Sequence, residues 1–257
     1  MCELFGYTGK TNKVLNPELE TFFSHSVNHP DGWGLALMDR QPYEIDKESV
    51  AAFKSEKIHT RLQKTICAKN VLAHIRLATI GTDEYENTHP FTGQDSSGRY
   101  WILIHNGTIF ESDVLHPYLF TQTGSTDSER VFLYLLDQMN DAIRNKGRSL
   151  TDRERFILVE QLVKELSFKN KLNLLIYDGR FMYVHTNCRD SLYARHTKDG
   201  ITFATTPLSK KDWKALDINS LSVYRRAQKV YQGSVHENEY IPDEKSIQAL
   251  YLAYAGL

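Results

Sequence analysis

Met1-Cys2-Glu3-Leu4-Phe5-Gly6-Tyr7-Thr8-Gly9 is the stretch that decides how this chain is read. Leu4, Phe5 and Tyr7, closed by Thr8-Gly9, predict a first β-strand over residues 2–7 with Cys2 at its beginning. A cysteine behind an initiator methionine becomes residue one when an aminopeptidase removes Met1. It then carries a thiol and a free α-amine together, which is a nucleophile with its own base. An α-amine titrating near ~8 serves close to neutral pH. By position alone a Met-Cys start is more often an incidental thiol, so the remaining residues must supply an oxyanion site, substrate anchors and a suitable fold.

Bulk composition narrows the classes. The chain has 257 residues, 41% hydrophobic and 25% charged, enough to bury a substantial core. Its 31 Lys and Arg against 32 Asp and Glu leave a formal net charge of −1, so no global field favours nucleic acid or an anionic membrane. Cys2, Cys67 and Cys188 are odd in number and far apart, which fits neither a disulfide framework nor a thiolate metal site and points to a reducing cytosol. There is no secretory pattern, and no apolar run approaches the ~20 residues that span a bilayer. The expectation is a cytoplasmic, soluble protein with no nucleic-acid partner and no membrane.

Outward from the first strand, Asn16-Pro17-Glu18 predicts a helix start, with Leu19, Phe22 and Phe23 as its apolar face and an end at residues 25–28. The His29-Pro30-Asp31-Gly32 turn leads into an apolar strand over residues 33–38, where two glycines flanking Trp33 imply close backbone contact. Residues 48–64 predict one or two short helices with Val50, Phe53, Ile58 and Leu62 inward. Residues 70–78 read as a strand interrupted by Arg76, and residues 79–98 as a long loop of the kind that carries function. A strand over residues 100–105 follows, and then Asn106-Gly107.

The clearest helix starts at Thr126, which with Glu129 fits a capping box, and shows Val131, Leu135 and Met139 at helical spacing. A second amphipathic helix covers residues 151–167. The period then changes to strands at residues 171–177 and 180–186 around a predicted Asp178-Gly179 hairpin turn, with shorter strands near 192–195, 201–205, 221–224 and 229–232. Strands, paired helices and strands again, with no linker or repeat, predict a single α+β layered domain over residues 1–257.

Three positions carry candidate chemistry. A guanidinium within an apolar strand must find a partner or a cavity, and a carboxylate ligand would satisfy Arg76; the bland alternative is an edge residue reaching solvent. Asn106-Gly107 after a strand reads first as a type I′ turn, yet an Asn amide and the next backbone N–H can also face one developing oxyanion. Asp127 in a first helical turn suits the helix dipole and could also hold an ammonium group. Arg76 and Asp127 together would clamp an α-amino acid. His29, His74, His89 and His105 show no metal-site spacing, so no metal is expected, and neither a phosphate loop nor a GxSxG elbow is present.

These residues carry a resemblance. Cys2-Glu3-Leu4-Phe5-Gly6, Asp31-Gly32-Trp33-Gly34, Arg76-Leu77-Ala78-Thr79, Asn87-Thr88-His89-Pro90-Phe91, His105-Asn106-Gly107 and Gly124-Ser125-Thr126-Asp127-Ser128-Glu129 stand in order over the first half of the chain. Ala204-Thr205-Thr206-Pro207-Leu208 adds a weaker likeness. The series resembles the class-II glutamine amidotransferases, which are N-terminal-nucleophile hydrolases, and the length resembles their stand-alone branch of γ-glutamyl amide hydrolases. The resemblance implies a four-layer αββα sandwich and no cofactor. It implies Cys2 as nucleophile with its α-amine as base, Asn106 and Gly107 as the oxyanion hole, and Arg76 on the substrate carboxylate. It further implies Asp127 on the substrate ammonium, Thr79 near the α-carboxylate, and His89 and Trp33 shaping the pocket. The substrate would be glutamine or a γ-glutamyl compound. No acceptor site for ammonia is visible in the sequence, and a separate ammonia-accepting subunit stands as one option among its partners.

Overall fold

Strand alternation in β1 (Glu3–Val14) shows how the layers arise: Leu4 enters one apolar core while Phe5 and Tyr7 enter another, so both faces of the strand are covered. The computed structural model describes residues 2–79 and 82–243. Met1 and residues 244–257 lie outside them, so the expected loss of Met1 and the far end of the expected 1–257 domain do too.

A seven-stranded sheet runs in the order β11-β9-β10-β1-β4-β2-β3. Its strands are β1, β2 (Trp33–Leu37), β3 (Glu44–Glu48), β4 (Cys67–Ile75), β9 (Tyr193–His196), β10 (Gly200–Ala204) and β11 (Trp213–Ala215). A six-stranded sheet runs β13-β12-β8-β7-β6-β5. It contains β5 (Phe91–Gln94), β6 (Tyr100–Thr108), β7 (Lys171–Tyr177), β8 (Met182–His185), β12 (Ser222–Arg225) and β13 (Gln228–Gln232). Every described pairing is antiparallel. Helices α1 (Asn16–Ser24) and α2 (Glu56–Gln63) cover the outer face of the first sheet through Leu19, Phe22 and Ile58. On the far side, α3 (Asp127–Lys146) and α4 (Asp152–Leu166) cover the second sheet through Val131, Leu135, Val159 and Leu162.

Between the sheets lies a third core in which Leu4 and Leu72 meet Ile102, Ile104 and Leu175. Gly6 sits where the sheets press together, because a Cβ there would lie 2.8 Å from Leu175 Cδ1. Three cores between four layers make the αββα sandwich that the sequence led us to expect.

Several local expectations change. Asn106-Gly107 is not a hairpin turn: both residues lie inside β6, paired with Asn173 and Leu172. The β4 strand begins at Cys67 and stops at Ile75, so Arg76 follows the strand instead of interrupting it. The expected loop over residues 79–98 contains a 3-10 turn (Tyr85–Asn87) and β5. Polar β3 and the three-residue β11 were not anticipated, since neither alternates cleanly. Val50 and Phe53 are exposed, whereas Ile58 is buried. The β7–β8 turn closes one residue later than expected, with Asp178 N–H donating to Phe181 O. Thr126 Oγ1 accepts from Glu129 N–H, but the Glu129 carboxylate turns to Thr123 and Gly124 N–H, so only half the capping box forms there. The full box is at Thr151 and Glu154 of α4. The close contact inferred around Trp33 is real: a Cβ on Gly34 would lie 2.0 Å from His89 O.

Candidate active site

The start of β1, the end of β4, the end of β6 and the N-terminus of α3 converge at one edge of the sandwich. Cys2 directly precedes β1, and its Sγ lies 3.5 Å from Leu77 O. Along β6 alternate residues face alternate layers, so Asn106 shares the face of Ile104 and points at the neighbouring sheet. Its Nδ2 donates to Cys2 O at 2.6 Å, while its Oδ1 is buried with no partner among the described residues. Gly107 lies against β7, where an added Cβ would meet Lys171 O at 1.9 Å and His105 Nε2 at 2.4 Å.

His105 faces the helical layer, and its Nδ1 is 2.9 Å from Ser128 Oγ in α3. Next to it, Asp127 opens the helix. Asp127 Oδ2 accepts from Ile109 N–H at 2.7 Å and Oδ1 from Ser128 N–H at 2.9 Å, which fixes the carboxylate and leaves lone pairs on both oxygens.

Arg76 is 2% exposed, so it does not reach solvent as an edge residue would. Its main chain continues the pairing beyond β4, with Arg76 N–H donating to Gly32 O at 2.8 Å. Its Nη1 donates to Asp83 Oδ1 at 2.9 Å. Asp31 braces the following turn by accepting from Ala78 N–H at 2.7 Å. Cys2, Arg76, Thr79, His89, Gly107 and Asp127 all line one cavity of about 20 Å³. That is room for a water-sized body.

Trp33 is placed elsewhere. It is fully buried in the outer core, stacked edge-on against Phe23 at 5.9 Å, with its indole N–H on Glu48. It supports the site only by pairing with Ile75 across β2 and β4. His89 does reach the cavity, stacked at 4.1 Å on His74, with neither ring nitrogen partnered among the described residues.

Electrostatically the site is dry. Burial pushes the Cys2 thiol above its ordinary value. Burial holds His74 down to about 3, with Arg76 adding to the effect, and keeps His89 well below the usual imidazole range. His105 is also lowered by burial, against the pull of Asp127. These imidazoles are neutral at pH 7.

Three contributors had no role assigned from the sequence, although Asn87 and Ser128 stand within the quoted motifs. Asn87 is fully buried, accepts from Ser125 N–H at 2.7 Å, and ties the stretch before β5 to the loop before α3. Ser128 orients His105. Lys171, 4% exposed at the start of β7, is lowered by burial and partly restored by Cys188 and Cys2. The Asn87 contact explains Gly124, where a Cβ would lie 2.3 Å from Asn87 Oδ1. Lys171 gave no signal, because one lysine before an apolar strand is unremarkable.

Known proteins share this architecture. The Bacillus subtilis glutamine phosphoribosylpyrophosphate amidotransferase superposes with a TM-score of 0.65 at 19% identity, over 89% of this chain and 48% of that one. A glutamine aminotransferase class-II domain protein from Silicibacter pomeroyi gives 0.58 at 17% identity, over 92% and 100%. An uncharacterized protein of Methanocaldococcus jannaschii is 28% identical over 90% of this chain and 71% of its own length. Relatives from Haemophilus influenzae and Escherichia coli, 30% and 32% identical, are matched over 65% and 63% of their lengths, so the chain spans about two thirds of them. The family model of class-II glutamine amidotransferases matches residues 1–198, and the chain belongs to that family.

Proposed function

We propose that this protein hydrolyses the side-chain amide of glutamine or of a γ-glutamyl compound through a γ-glutamyl thioester on Cys2. The observation that carries the reading is the convergence of Cys2, Arg76, Gly107 and Asp127 on one cavity from four separate elements, with the Asn106 amide donating to Cys2 O beside it. A thiol raised by burial is protonated at neutral pH, so it needs a base. Loss of Met1 supplies one, the Cys2 α-amine.

In this mechanism the α-amine takes the thiol proton and the sulfur attacks the amide carbon. The carbonyl oxygen becomes an oxyanion facing the Asn106 amide and the Gly107 N–H. Collapse expels ammonia or an amine, protonated by the α-ammonium group, and leaves the thioester. Water, deprotonated by the same amine, then attacks the thioester and releases glutamate and the thiol. Arg76 reads the substrate α-carboxylate with Thr79 beside it, Asp127 holds the α-ammonium, and His89 forms a neutral wall. Glutamine entry requires Asp83 to leave Arg76, because the cavity holds no amino acid as it stands. Ammonia would leave to solvent or pass to a separate acceptor subunit. Residues 1–257 would act as one domain, in the cytoplasm; among the described residues no helix is long and apolar enough to cross a membrane.

The test pairs intact mass with activity. Protein whose mass shows loss of Met1 is expected to release glutamate from glutamine or from a member of a γ-glutamyl panel, and Cys2→Ala to release none while keeping its fold. Wild-type turnover by Cys2→Ala, or by protein that retains Met1, overturns the mechanism.

A further inference from the structure

Far from Cys2, the other end of the first sheet opens into a cleft of about 750 Å³. It is bordered by Gly9 and Asn12 of β1 and by Cys67 to Asn70 of β4. Six residues of extended strand separate Glu3 from Gly9, roughly 20 Å, so this cleft and the Cys2 cavity are distinct.

Its charge is lopsided. Arg40, Arg61, Lys69, Arg180, Arg225 and Arg226 line it, against two carboxylates, Asp39 and Glu44. Only Glu44 is neutralised; Asp39 keeps its charge but is held by backbone groups. Glu44 pairs with Arg61 at 2.8 Å, and Asp39 accepts from the backbone N–H groups of Lys69 and Asn70 at 2.8 and 3.0 Å. Arg180 pairs with Asp152 at 2.6 Å. Arg40, Lys69, Arg225 and Arg226 form no ion pair among the described residues; Arg225 faces the Phe181 ring at 5.9 Å and its charge acts on the Tyr177 hydroxyl. The whole chain carries a net charge of −1, so this surplus is a local arrangement and not a spill-over from a basic protein.

The backbone adds a second observation. Arg226 and Ala227 form the two-residue β12–β13 turn with φ of 48° and 61°. Both positive angles match a type I′ turn, which favours Asn and Gly and which other L-residues adopt at a steric cost. An arginine held in such a conformation at the edge of a cationic cleft is a strained residue at a candidate binding site.

We propose that this cleft binds a phosphorylated small molecule carrying at least two negative charges, at a site separate from Cys2. The volume falls in the range of small-molecule sites, roughly 300–1,000 Å³. Guanidinium groups offer planar paired donors that match phosphate oxygens. A longer polyanion would need the positive track to continue. In the adjoining depression, however, Arg99 is bound to Asp152 and Asp178, and Arg155 to Asp95. The unpaired charge therefore ends at Arg225, and the site is compact. This inference stands whether or not Cys2 is catalytic.

Isothermal titration of the full chain with inorganic pyrophosphate, at fixed ionic strength, tests it. The expected result is saturable one-to-one binding, tighter than that of sulfate. The exposed substitutions Arg40→Gln and Arg226→Gln should each weaken it about tenfold or more. Their thermal unfolding and glutamate release should match the parent. Absence of saturable binding, or parental affinity in the double variant, overturns the proposal. So does tighter binding of a single-stranded oligonucleotide with a salt slope of many phosphates, which would make the face a nucleic-acid surface.

Discussion

Asp83 Oδ1 lies 2.9 Å from Arg76 Nη1, so a carboxylate of the chain itself occupies the guanidinium that the proposed mechanism assigns to the substrate. The Asp83 side chain is 58% exposed and that of Arg76 only 3%, so the acid is the partner free to leave. A substrate carboxylate must displace it. Asp83→Asn is therefore expected to lower KM for the amino-acid substrate with kcat nearly unchanged. An ion pair exposed on one side is worth up to about 1 kcal/mol, or roughly fivefold. Steady-state kinetics on both proteins checks this, and an unchanged or raised KM would show that Asp83 does not compete.

Asn106 has two connected tasks. Its amide holds Cys2 O at 2.6 Å, and the same amide is the proposed oxyanion donor. Asn106→Ala should lower kcat by about 10²–10³ if this donor behaves like other oxyanion donors. KM should move much less, because the interaction belongs to the transition state. Pre-steady-state acylation rates separate the step. An equal loss in binding and turnover would instead mark Asn106 as a fold residue that merely holds Cys2.

How much of this was legible in the sequence depends on what each signal rests on. A layered α+β domain could be read because the helical period of α3 and α4 and the apolar runs of β6 and β7 are local properties of the chain, whereas the four-layer αββα order came from the family resemblance. The site was legible mainly as a series of motifs: Asn106-Gly107 by itself pointed to a turn. What placed those residues inside β6 was the antiparallel β7, about 65 positions further along the chain, and no local rule sees such pairing. Trp33 shows the opposite failure. Its two flanking glycines correctly signalled close backbone approach, but the indole turned into the α1 core, since side-chain direction follows from sheet position. Asn87 stood in a quoted motif but received no role, because its partner Ser125 is 38 positions away, and Lys171 stayed hidden as a single lysine before an apolar strand.

Gly107 allows no side chain. A Cβ would stand 1.9 Å from Lys171 O, an atom of the paired strand that cannot swing aside. Gly107→Ala must push β6 and β7 apart, with an overpacking cost of about 1–3 kcal/mol. Urea unfolding should show the lower midpoint, and glutamate release should fall with it. Gly98→Ala, where nothing lies within 4 Å of the added carbon but φ is +81°, is a control for backbone strain alone. If Gly107→Ala unfolds at the parental midpoint, the strands are not packed as described.

Acid sensitivity should come first from buried histidines. His74 and His185 are both held down to about 3 from 6.5, by burial first, with Arg76 reinforcing it for His74 and His236 for His185. The hydrogen bonds around His185 fix its neutral form: Nδ1–H donates to Leu172 O at 2.9 Å, so Nε2 accepts from His236 Nε2 at 3.2 Å. His236 Nδ1 in turn accepts from Asn238 N–H at 3.2 Å. Because the folded values are depressed, the unfolded chain binds protons that the folded chain refuses between about pH 6.5 and 3. Stability is therefore complete above about 6.5 and falls as pH drops, by up to about 1.4 kcal/mol per unit for each histidine. The loss levels off below about 3. Urea unfolding between roughly pH 7.5 and 5.5 isolates the depressed histidines as a group, His89, His105 and His236 included, since ordinary carboxylates titrate near ~4. His185→Asn should flatten the slope by its own share while lowering stability at neutral pH. Equal midpoints across that window in the parent protein would mean that the buried rings already carry protons when folded.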